Sequence, residues 1–299
     1  MNILILSRKK QLYSTKRLIE VAQRKGHNVK MHDPLNLLLI LGKKNPTIHL
    51  KSGFRRIRDI DVVLPRIGAS ITDYGLAVVN QFSMMGIPTV NKSQPIARSR
   101  DKFRCLQLLS RYDIDIPKTV MVKTPEQIRK GIAMVGGPPV ILKLLKGTQG
   151  IGVMLANDVG SVESVISAIW SLGQNIMIQE FVGESKGKDI RVLVVGGRII
   201  AAMRREAQMD EFRSNIHRGG SGKAVSLSDE YARVAIEATK VIGLEIAGVD
   251  MLESRIGPKV VEINSSVGFE GLEKATGVDI AEVIIDYTVM YAEKSRMAR

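Results

Sequence analysis

The chain has 299 residues, 44% hydrophobic and 25% charged, a composition that excludes a disordered protein and predicts two or three folded domains or subdomains. Its 44 lysines and arginines against 30 aspartates and glutamates give a formal net charge of +14, which favours polyanionic partners. With aromatic residues at only 4%, a protein that stacks single-stranded bases on aromatic platforms is not indicated. The single cysteine, Cys105, excludes an internal disulfide framework.

The N-terminal part alternates strand and helix patterns, which predicts an open, mainly parallel sheet flanked by helices. Its segments in chain order are MNILILS, the serine-capped helix STKRLIEVAQRKG, NVKMHD, DVVLPR, the helix YGLAVVNQFSMMG and PTVN. No G-x-G-x-x-G follows the first strand, which weakens a dinucleotide-binding function. The apolar start is too short for a signal or membrane helix, so a cytoplasmic location without membrane contact is expected.

The second half is richer in strands. The predicted elements are the helix DKFRCLQLLSRY, the strand IPKTVMV, the helix TPEQIRKGIAMV, the strand PVILKLL, the glycine loop KGTQGIG, the strand VMLA and the helix SVESVISAIWSLG. The strands IMIQEFV, KDIRVLVVGG and RIIAAMRREA follow, and Gly196-Gly197 predicts a tight hairpin between the last two. After the basic loop MDEFRSNIHRGGSG and a long helix, IAGVDMLES and KVVEIN predict a final pair of strands.

That final pair places oxygen-bearing side chains inside apolar strands. Glu262 and Asn264 share one strand face because side chains alternate. Asp250 lies one hairpin away and can converge with them. Such a set predicts a hard cation, Mg²⁺ or Mn²⁺ rather than Zn²⁺. Phosphate oxygens of a substrate usually complete the coordination shell of such an ion. The alternative, that these are ordinary polar residues on a solvated face, is equally compatible with the two strands alone.

The glycine loop is the second candidate. Gly147, Gly150 and Gly152 permit a hairpin that closes over a phosphate chain, and Lys143 on the preceding strand can point at the phosphates. Taken alone the pattern is weak, because glycine-rich hairpins are common and the lysine can be solvated. It matches neither Walker A nor the Rossmann fingerprint.

Two further strands carry charged residues in the same region. Glu180 beside Phe181 suits an adenine edge with a ribose contact. Asp189 and Arg191 share one strand face, and a structural ion pair between them is the alternative to a nucleotide contact. These features follow one another along the chain, from the glycine loop to Asp250, Glu262 and Asn264, and this order indicates a nucleotide site.

That order resembles the ATP-grasp superfamily and, within it, the RimK family of glutamate ligases. The resembling stretches cover nearly the whole chain and include LSRKKQLYSTKRL, VLPRIG, IARSRDKFRCLQLLS, KLLKGTQGIGV, IQEFV, DIRVLVVG, DEFRSNIHRGG, AGVDML and VEINSSVGFEGLEKATGVDIA. The resemblance implies an α/β (α+β) ATP-grasp fold. It also implies three parts: an N-terminal Rossmann-like pre-ATP-grasp domain (1–95), a central subdomain with the glycine loop (96–175) and a C-terminal subdomain with the metal site (176–299).

The resemblance also implies roles for individual residues. ATP is expected to contact the phosphate lysines, the glycine loop, the adenine hinge and a basic loop, namely Lys102, Lys143, Gly147, Gly150, Glu180, Phe181, Asp189, Arg213, Ser214 and Asn215. The expected catalytic residues are Arg205 and Lys143, and the expected ligands of two Mg²⁺ or Mn²⁺ ions are Asp250, Glu262 and Asn264.

The activity implied is that of an ATP-dependent carboxylate–amine ligase. It would add L-glutamate to the C-terminal tail of a small-subunit ribosomal protein through an acylphosphate, with poly-α-glutamate as a further product and a homotetramer as the assembly. Alternatives are a ligase that adds glutamate to a coenzyme tail or carrier protein, and a non-catalytic basic RNA-binding or regulatory protein. Where the family has Asn-Ala-Ser-Pro-Gly, this chain has Val267 in place of the proline. Without the proline ring the φ angle before the glycine is no longer fixed. The substitution puts the expected positioning of the acceptor in question.

Overall fold

The computed structural model of the protein describes residues 1–43, 45–145, 152–207 and 221–298. The strands, β1 to β14 in chain order, are Asn2–Leu6, Asn28–His32, Leu37–Ile40, Thr47–Leu50, Val62–Pro65, Thr119–Met121, Val140–Leu144, Val153–Ala156, Ile176–Glu180, Lys188–Val195, Arg198–Glu206, Ser221–Ala224, Ile246–Ser254 and Gly257–Asn264. The helices, α1 to α9, are Tyr13–Arg24, Thr72–Met84, Ser93–Arg100, Lys102–Arg111, Pro125–Met134, Val159–Ser171, Asp229–Ile242, Glu270–Thr276 and Ile280–Met297. Single-turn helices lie at Pro34–Asn36, Ala69–Ile71 and Gly183–Ser185.

The N-terminal part contains the parallel sheet that its alternating patterns predicted. β1 lies at the centre between β2 and β5, and it runs parallel to both. β5 is buried along its whole length, as expected for a parallel strand covered on both faces. The predicted strand PTVN forms only one bridge, between Thr89 and Val63. β3 and β4 form a separate antiparallel pair that the pattern did not indicate.

The described residues of the remaining chain also form two antiparallel sheets. One has the strand order β6-β9-β7-β8, and the other has the order β12-β11-β10-β13-β14. The loop between β10 and β11 is Gly196-Gly197, with φ values of 58° and 73°, and a two-residue type I′ turn needs positive φ at both positions. A side chain at Gly196 would also collide with the ring of Tyr287. The predicted hairpin is therefore confirmed.

Helix α1 begins without the serine cap that the sequence led us to expect. Leu12 is its N-cap residue, and no side chain accepts a hydrogen bond there. Ser14 lies inside the first turn instead, where its hydroxyl accepts a hydrogen bond of 3.4 Å from the backbone N–H of Phe269. The serine thus connects α1 to the segment before α8.

One hydrophobic core joins the N-terminal sheet to the five-stranded sheet and to the last helix. It contains Ile3 and Ile5 of β1, Leu193 of β10, and Ile284 and Ile285 of α9. α9 packs against α1 and β5 as well as against β10 and β11, so the two ends of the chain share a core. The boundaries between the three predicted parts stay predictions. Within the described ranges, no helix has both the length and the apolar character needed to cross a membrane.

Candidate functional site

A cavity of about 730 Å³ is lined by residues from the N-terminal sheet and from both antiparallel sheets. Its volume lies in the range of roughly 300–1,000 Å³ that is typical of small-molecule sites. Among the described residues, nine lysines and arginines line it against five aspartates and glutamates, so the charge of this lining favours an anionic ligand. The described residues that the sequence predicted for the site all line this cavity: Lys102, Lys143, Glu180, Phe181, Asp189, Arg205, Asp250, Glu262 and Asn264. Their individual roles stay predictions.

Three strands of the five-stranded sheet place charged side chains opposite one another. Asp189 of β10 stands opposite Arg205 of β11, and Arg191 of β10 stands opposite Asp250 of β13. Arg205 binds Asp189 through two hydrogen bonds, one of them 2.6 Å from Nε to Oδ1. Arg191 donates to both oxygens of Asp250 at 2.7 and 2.6 Å, and Arg205 Nη2 lies 3.1 Å from Asp250 Oδ2. Two carboxylates and two guanidinium groups therefore form one network.

The inner part of this network is buried, with only 3% of the Arg205 side chain and 5% of the Asp250 side chain exposed. Burial by itself would raise the pKa of Asp250, but Arg191 and Arg205 outweigh it and hold that pKa below its ordinary value. Burial would likewise lower the pKa of Arg205, but Asp250 and Asp189 outweigh it and raise that pKa. Two alternatives from the sequence are therefore wrong. Asp250 does not lie on a solvated face, and Asp189 pairs with Arg205 rather than with Arg191.

Replacing Arg205 tests how much the network stabilises the fold. We expect Arg205→Ala to lower the free energy of unfolding by about 3–5 kcal/mol, because the change leaves buried carboxylates short of a partner. Arg204→Ala is the matched control, since Arg204 pairs with Glu253 at 2.7 Å where the two side chains are 40% and 36% exposed, and such pairs contribute about 0–1 kcal/mol. Urea unfolding measures both, and equal losses would contradict the assignment.

Five described lysines line the cavity outside this network, and two of them, Lys102 and Lys143, are the predicted phosphate contacts. Lys143 comes from β7, Lys102 begins α4, and neither ammonium has a hydrogen-bond or ion-pair partner among the residues that the structure describes. Burial lowers the pKa of Lys143 to about 8, with Lys102 adding to the shift and Glu262 and Asp250 opposing it. A partly buried lysine with no partner is suited to an anionic ligand such as a phosphate.

The predicted adenine hinge has a partner that the sequence did not indicate. Lys259 Nζ donates to both carboxylate oxygens of Glu180 at 3.0 and 2.9 Å, and the backbone N–H of Lys118 donates to one of them at 2.9 Å. Burial would raise the pKa of Glu180, but Lys118 and Lys259 outweigh it and lower that pKa. The Glu180 carboxylate would therefore bind a ribose while it also accepts hydrogen bonds from Lys259. Phe181 follows in the chain and also lines the cavity.

Five predicted nucleotide contacts lie outside the described residues. They are Gly147 and Gly150 of the glycine loop, and Arg213, Ser214 and Asn215 of the basic loop.

The predicted metal ligands lie close together on β13 and β14 and line the cavity. Asp250 and Glu262 are directly opposed across β13 and β14, and Asn264 Nδ2 lies 3.4 Å from Asp250 Oδ2. The Glu262 carboxylate has no hydrogen-bond or ion-pair partner within the described part of the chain. No group of three or more His, Cys, Asp or Glu side chains suited to a metal occurs there either. The set therefore fits a hard divalent cation that takes further ligands from phosphates, and it does not form a complete cage by itself.

Sequence reasoning missed two contributors to the site. Lys259 neutralises Glu180 across 79 positions of sequence, and no local pattern reveals a contact of that separation. The sequence pairs Arg191 only with Asp189, whereas in the structure Arg191 binds the predicted metal ligand Asp250. Knowing how β10 aligns with β13 would reveal this contact, because Arg191 and Asp250 are directly opposed on the two strands.

Comparisons with known proteins agree with this geometry. Residues 1–96 match the family described as RimK PreATP-grasp domain, and residues 99–288 match the family described as RimK-like ATP-grasp domain. The chain is 50% identical over 296 residues to a probable alpha-L-glutamate ligase of Aliivibrio fischeri, covering 99% of this chain and 98% of the relative. It is also 50% identical over 293 residues to a probable alpha-L-glutamate ligase of Azotobacter vinelandii, covering 98% and 97% of the two chains.

Solved structures share the fold at low sequence identity. The ATP-grasp ligase PsnB, complexed with minimal precursor, Mg and ADP, superimposes with a TM-score of 0.74 at 20% identity, over 98% of each chain. D-alanine–D-alanine ligase from Bacillus anthracis, complexed with ATP, gives a TM-score of 0.73 at 16% identity, over 100% of this chain and 99% of that one. The predicted ATP-grasp fold is confirmed.

Proposed function

The chain belongs to the RimK-like ATP-grasp ligases, which are ADP-forming enzymes, and on this premise we propose that it adds L-glutamate to the C-terminal carboxylate of a small-subunit ribosomal protein. The observation that carries the proposal is full-length similarity to probable alpha-L-glutamate ligases, in a chain whose predicted site residues line one cationic cavity. Repeated additions at the same tail would make a poly-α-glutamate chain. A cytoplasmic location and a homotetrameric assembly are part of the same proposal.

The described residues support ATP as the ligand of the cavity. Lys102 and Lys143 have ammonium groups without a described partner, and Phe181 adds an apolar side chain to the lining of the same cavity. The network of Arg191, Arg205 and Asp250 holds its charges in fixed positions by hydrogen bonds and ion pairs between strands. Fixed charges stabilise a transferring phosphoryl group without reorganisation during the reaction.

The proposed reaction has two steps. A carboxylate oxygen of the acceptor attacks the γ-phosphorus of ATP, the bond from that phosphorus to the ADP oxygen breaks, and an acylphosphate forms. The neutral amine of glutamate then attacks the acyl carbon, the bond from that carbon to the phosphate oxygen breaks, and inorganic phosphate leaves while the attacking nitrogen loses one proton to solvent. Lys143 and Arg205 would neutralise the phosphoryl oxygens in the first step, which mainly requires positioning and charge compensation. Mg²⁺ or Mn²⁺ at Asp250, Glu262 and Asn264 would supply further compensation of phosphate charge.

Because the protein side chains form an incomplete cage, we expect Mg²⁺ binding to depend on nucleotide. Calorimetric titration should detect weak Mg²⁺ binding to the free protein and much tighter binding in the presence of a non-hydrolysable ATP analogue. By reciprocity, Mg²⁺ should tighten binding of the analogue by the same factor. Equal Mg²⁺ affinity with and without the analogue would contradict the proposed site, and a parallel titration with Mn²⁺ would establish the preferred ion.

Mass spectrometry tests the acceptor. Purified small ribosomal subunits are incubated with the protein, ATP, Mg²⁺ and glutamate, and we expect one protein to gain whole glutamate residues at its C-terminus. The same incubation without ATP should leave every mass unchanged. If ADP forms only with a coenzyme tail or a carrier protein as acceptor, the ribosomal assignment is wrong although the ligase chemistry stands.

A further inference from the structure

Two arginines of the cavity wall are not used by the proposed phosphoryl transfer. Arg66 follows β5, and its Nη2 donates to the backbone carbonyl of Val267 at 2.6 Å. Its guanidinium carbon lies 5.9 Å from the centre of the Phe269 ring. Arg66 is thereby held against the segment that follows Asn264, where this chain has valine in place of the family's proline.

Arg100, the last residue of α3, lies beside Arg66. Its Nη2 donates to the backbone carbonyl of Ile67, the residue after Arg66. Its Nε is buried and has no hydrogen-bond partner, and the same is true of the Ser266 hydroxyl, which lines the same cavity. The site therefore retains hydrogen-bonding capacity that the described protein atoms do not use.

Neither guanidinium group has an acidic ion-pair partner among the residues that the structure describes. Burial, with a smaller contribution from the charge of Arg100, lowers the pKa of Arg66 to about 10. Burial also lowers the pKa of Arg100, although Glu262 opposes the shift. Among the described residues, only backbone carbonyls accept hydrogen bonds from either side chain. Both groups still carry a full charge at neutral pH, so two like charges are partly desolvated together, which is costly without a bound anion.

We propose that Arg66 and Arg100, with the Ser266 hydroxyl, bind a carboxylate group of an amino-acid or peptide substrate that is not itself phosphorylated. This inference rests on the proposed function, because glutamate and a glutamate-terminated tail both bring carboxylates that must stay out of the reaction. The planar guanidinium fork matches the two oxygens of a carboxylate. ATP phosphates already have Lys102 and Lys143, which do not offer that fork.

Calorimetry tests the proposal without turnover. Glutamate and a glutamate-terminated peptide are titrated separately into the protein saturated with Mg²⁺ and a non-hydrolysable ATP analogue. For one of these ligands we expect Arg66→Met and Arg100→Met each to weaken binding by about 10- to 100-fold, the effect of losing a hydrogen-bonded charge pair. Whichever ligand loses affinity identifies the source of the carboxylate. Affinity for the nucleotide analogue should stay within about twofold of wild type.

Arg98→Met is the matched control. Arg98 lies on the same helix, its Nη1 donates to the Ile242 carbonyl at 3.4 Å, and it does not line the cavity. It should leave both affinities unchanged. If a methionine variant does not fold, Arg66→Lys and Arg100→Lys keep the charge without the bidentate fork, and they should give smaller losses for the same ligand.

A neutral ligand sharpens the test. If the pair binds the side-chain carboxylate of glutamate, wild type should prefer glutamate to glutamine and Arg66→Met should lose most of that preference. If it binds the α-carboxylate, the same loss should appear between glutamate and its α-amide. Unchanged affinity for both ligands, or a loss confined to the nucleotide analogue, would overturn the proposal. Failure of the proposed function would appear separately, as wild-type protein that forms no ADP with glutamate and any acceptor.

Discussion

Glu262→Gln should lower kcat by about a thousandfold or more, because the change removes one of the two proposed metal-ligand carboxylates and about 4 kcal/mol of charge compensation in the transition state. The residue is suited to this test, since its carboxylate has no partner within the described ranges and stands directly opposite Asp250. Stability should change by no more than about 1 kcal/mol. Steady-state ADP formation and thermal unfolding measure the two quantities.

Glu253→Gln is the control for Glu262→Gln. Glu253 lies on β13, pairs with Arg204 and does not line the cavity. The substitution should leave kcat within about twofold of wild type, as expected for a surface change away from the site. A kcat near the wild-type value in Glu262→Gln would contradict the assignment of Glu262 as a metal ligand. A lower kcat in both variants would indicate that removing any carboxylate from this sheet impairs the enzyme.

Lys143→Met should stabilise the nucleotide-free protein while abolishing most of its affinity for ATP. The folded-state pKa of Lys143 is about 8, below the ordinary value of 10.5, so protonation of this lysine opposes folding. The cost is fully present below pH 8 and disappears as pH rises toward the unfolded value. Because the lysine is only partly buried, we expect a gain of about 1–3 kcal/mol at pH 7.

Thermal unfolding with and without ATP and Mg²⁺ measures both effects of Lys143→Met. ATP should raise the Tm of wild type and raise that of the variant much less, because the phosphates lose a cationic partner. Lys123→Met is the control, since Lys123 is exposed and bonds Asn175 rather than a carboxylate. If Lys143→Met were less stable than wild type at pH 7 and bound ATP normally, Lys143 would belong to the scaffold.

Hydrophobic periodicity was sufficient for most elements of the fold but not for their contacts. The parallel N-terminal sheet, the hairpin at Gly196-Gly197 and the final strand pair follow from patterns that span a few residues, and all are present. The β3–β4 pair was missed because its strands are short and partly exposed. The serine cap of α1 was wrong because the hydroxyl of Ser14 contacts Phe269, a residue far away in the chain.

The sequence by itself determined that Glu262 and Asn264 share one face of a strand, because side chains alternate along a strand whatever the rest of the chain does. Only the tertiary structure decided how the charges of the site are paired. Arg205 binds Asp189 and Asp250 through the register of three strands, Lys259 reaches Glu180 across 79 positions, and Arg66 reaches Val267 across 201. Partners at such separations are set by strand pairing and by packing between sheets. A pattern that repeats every two or four residues contains no information about either.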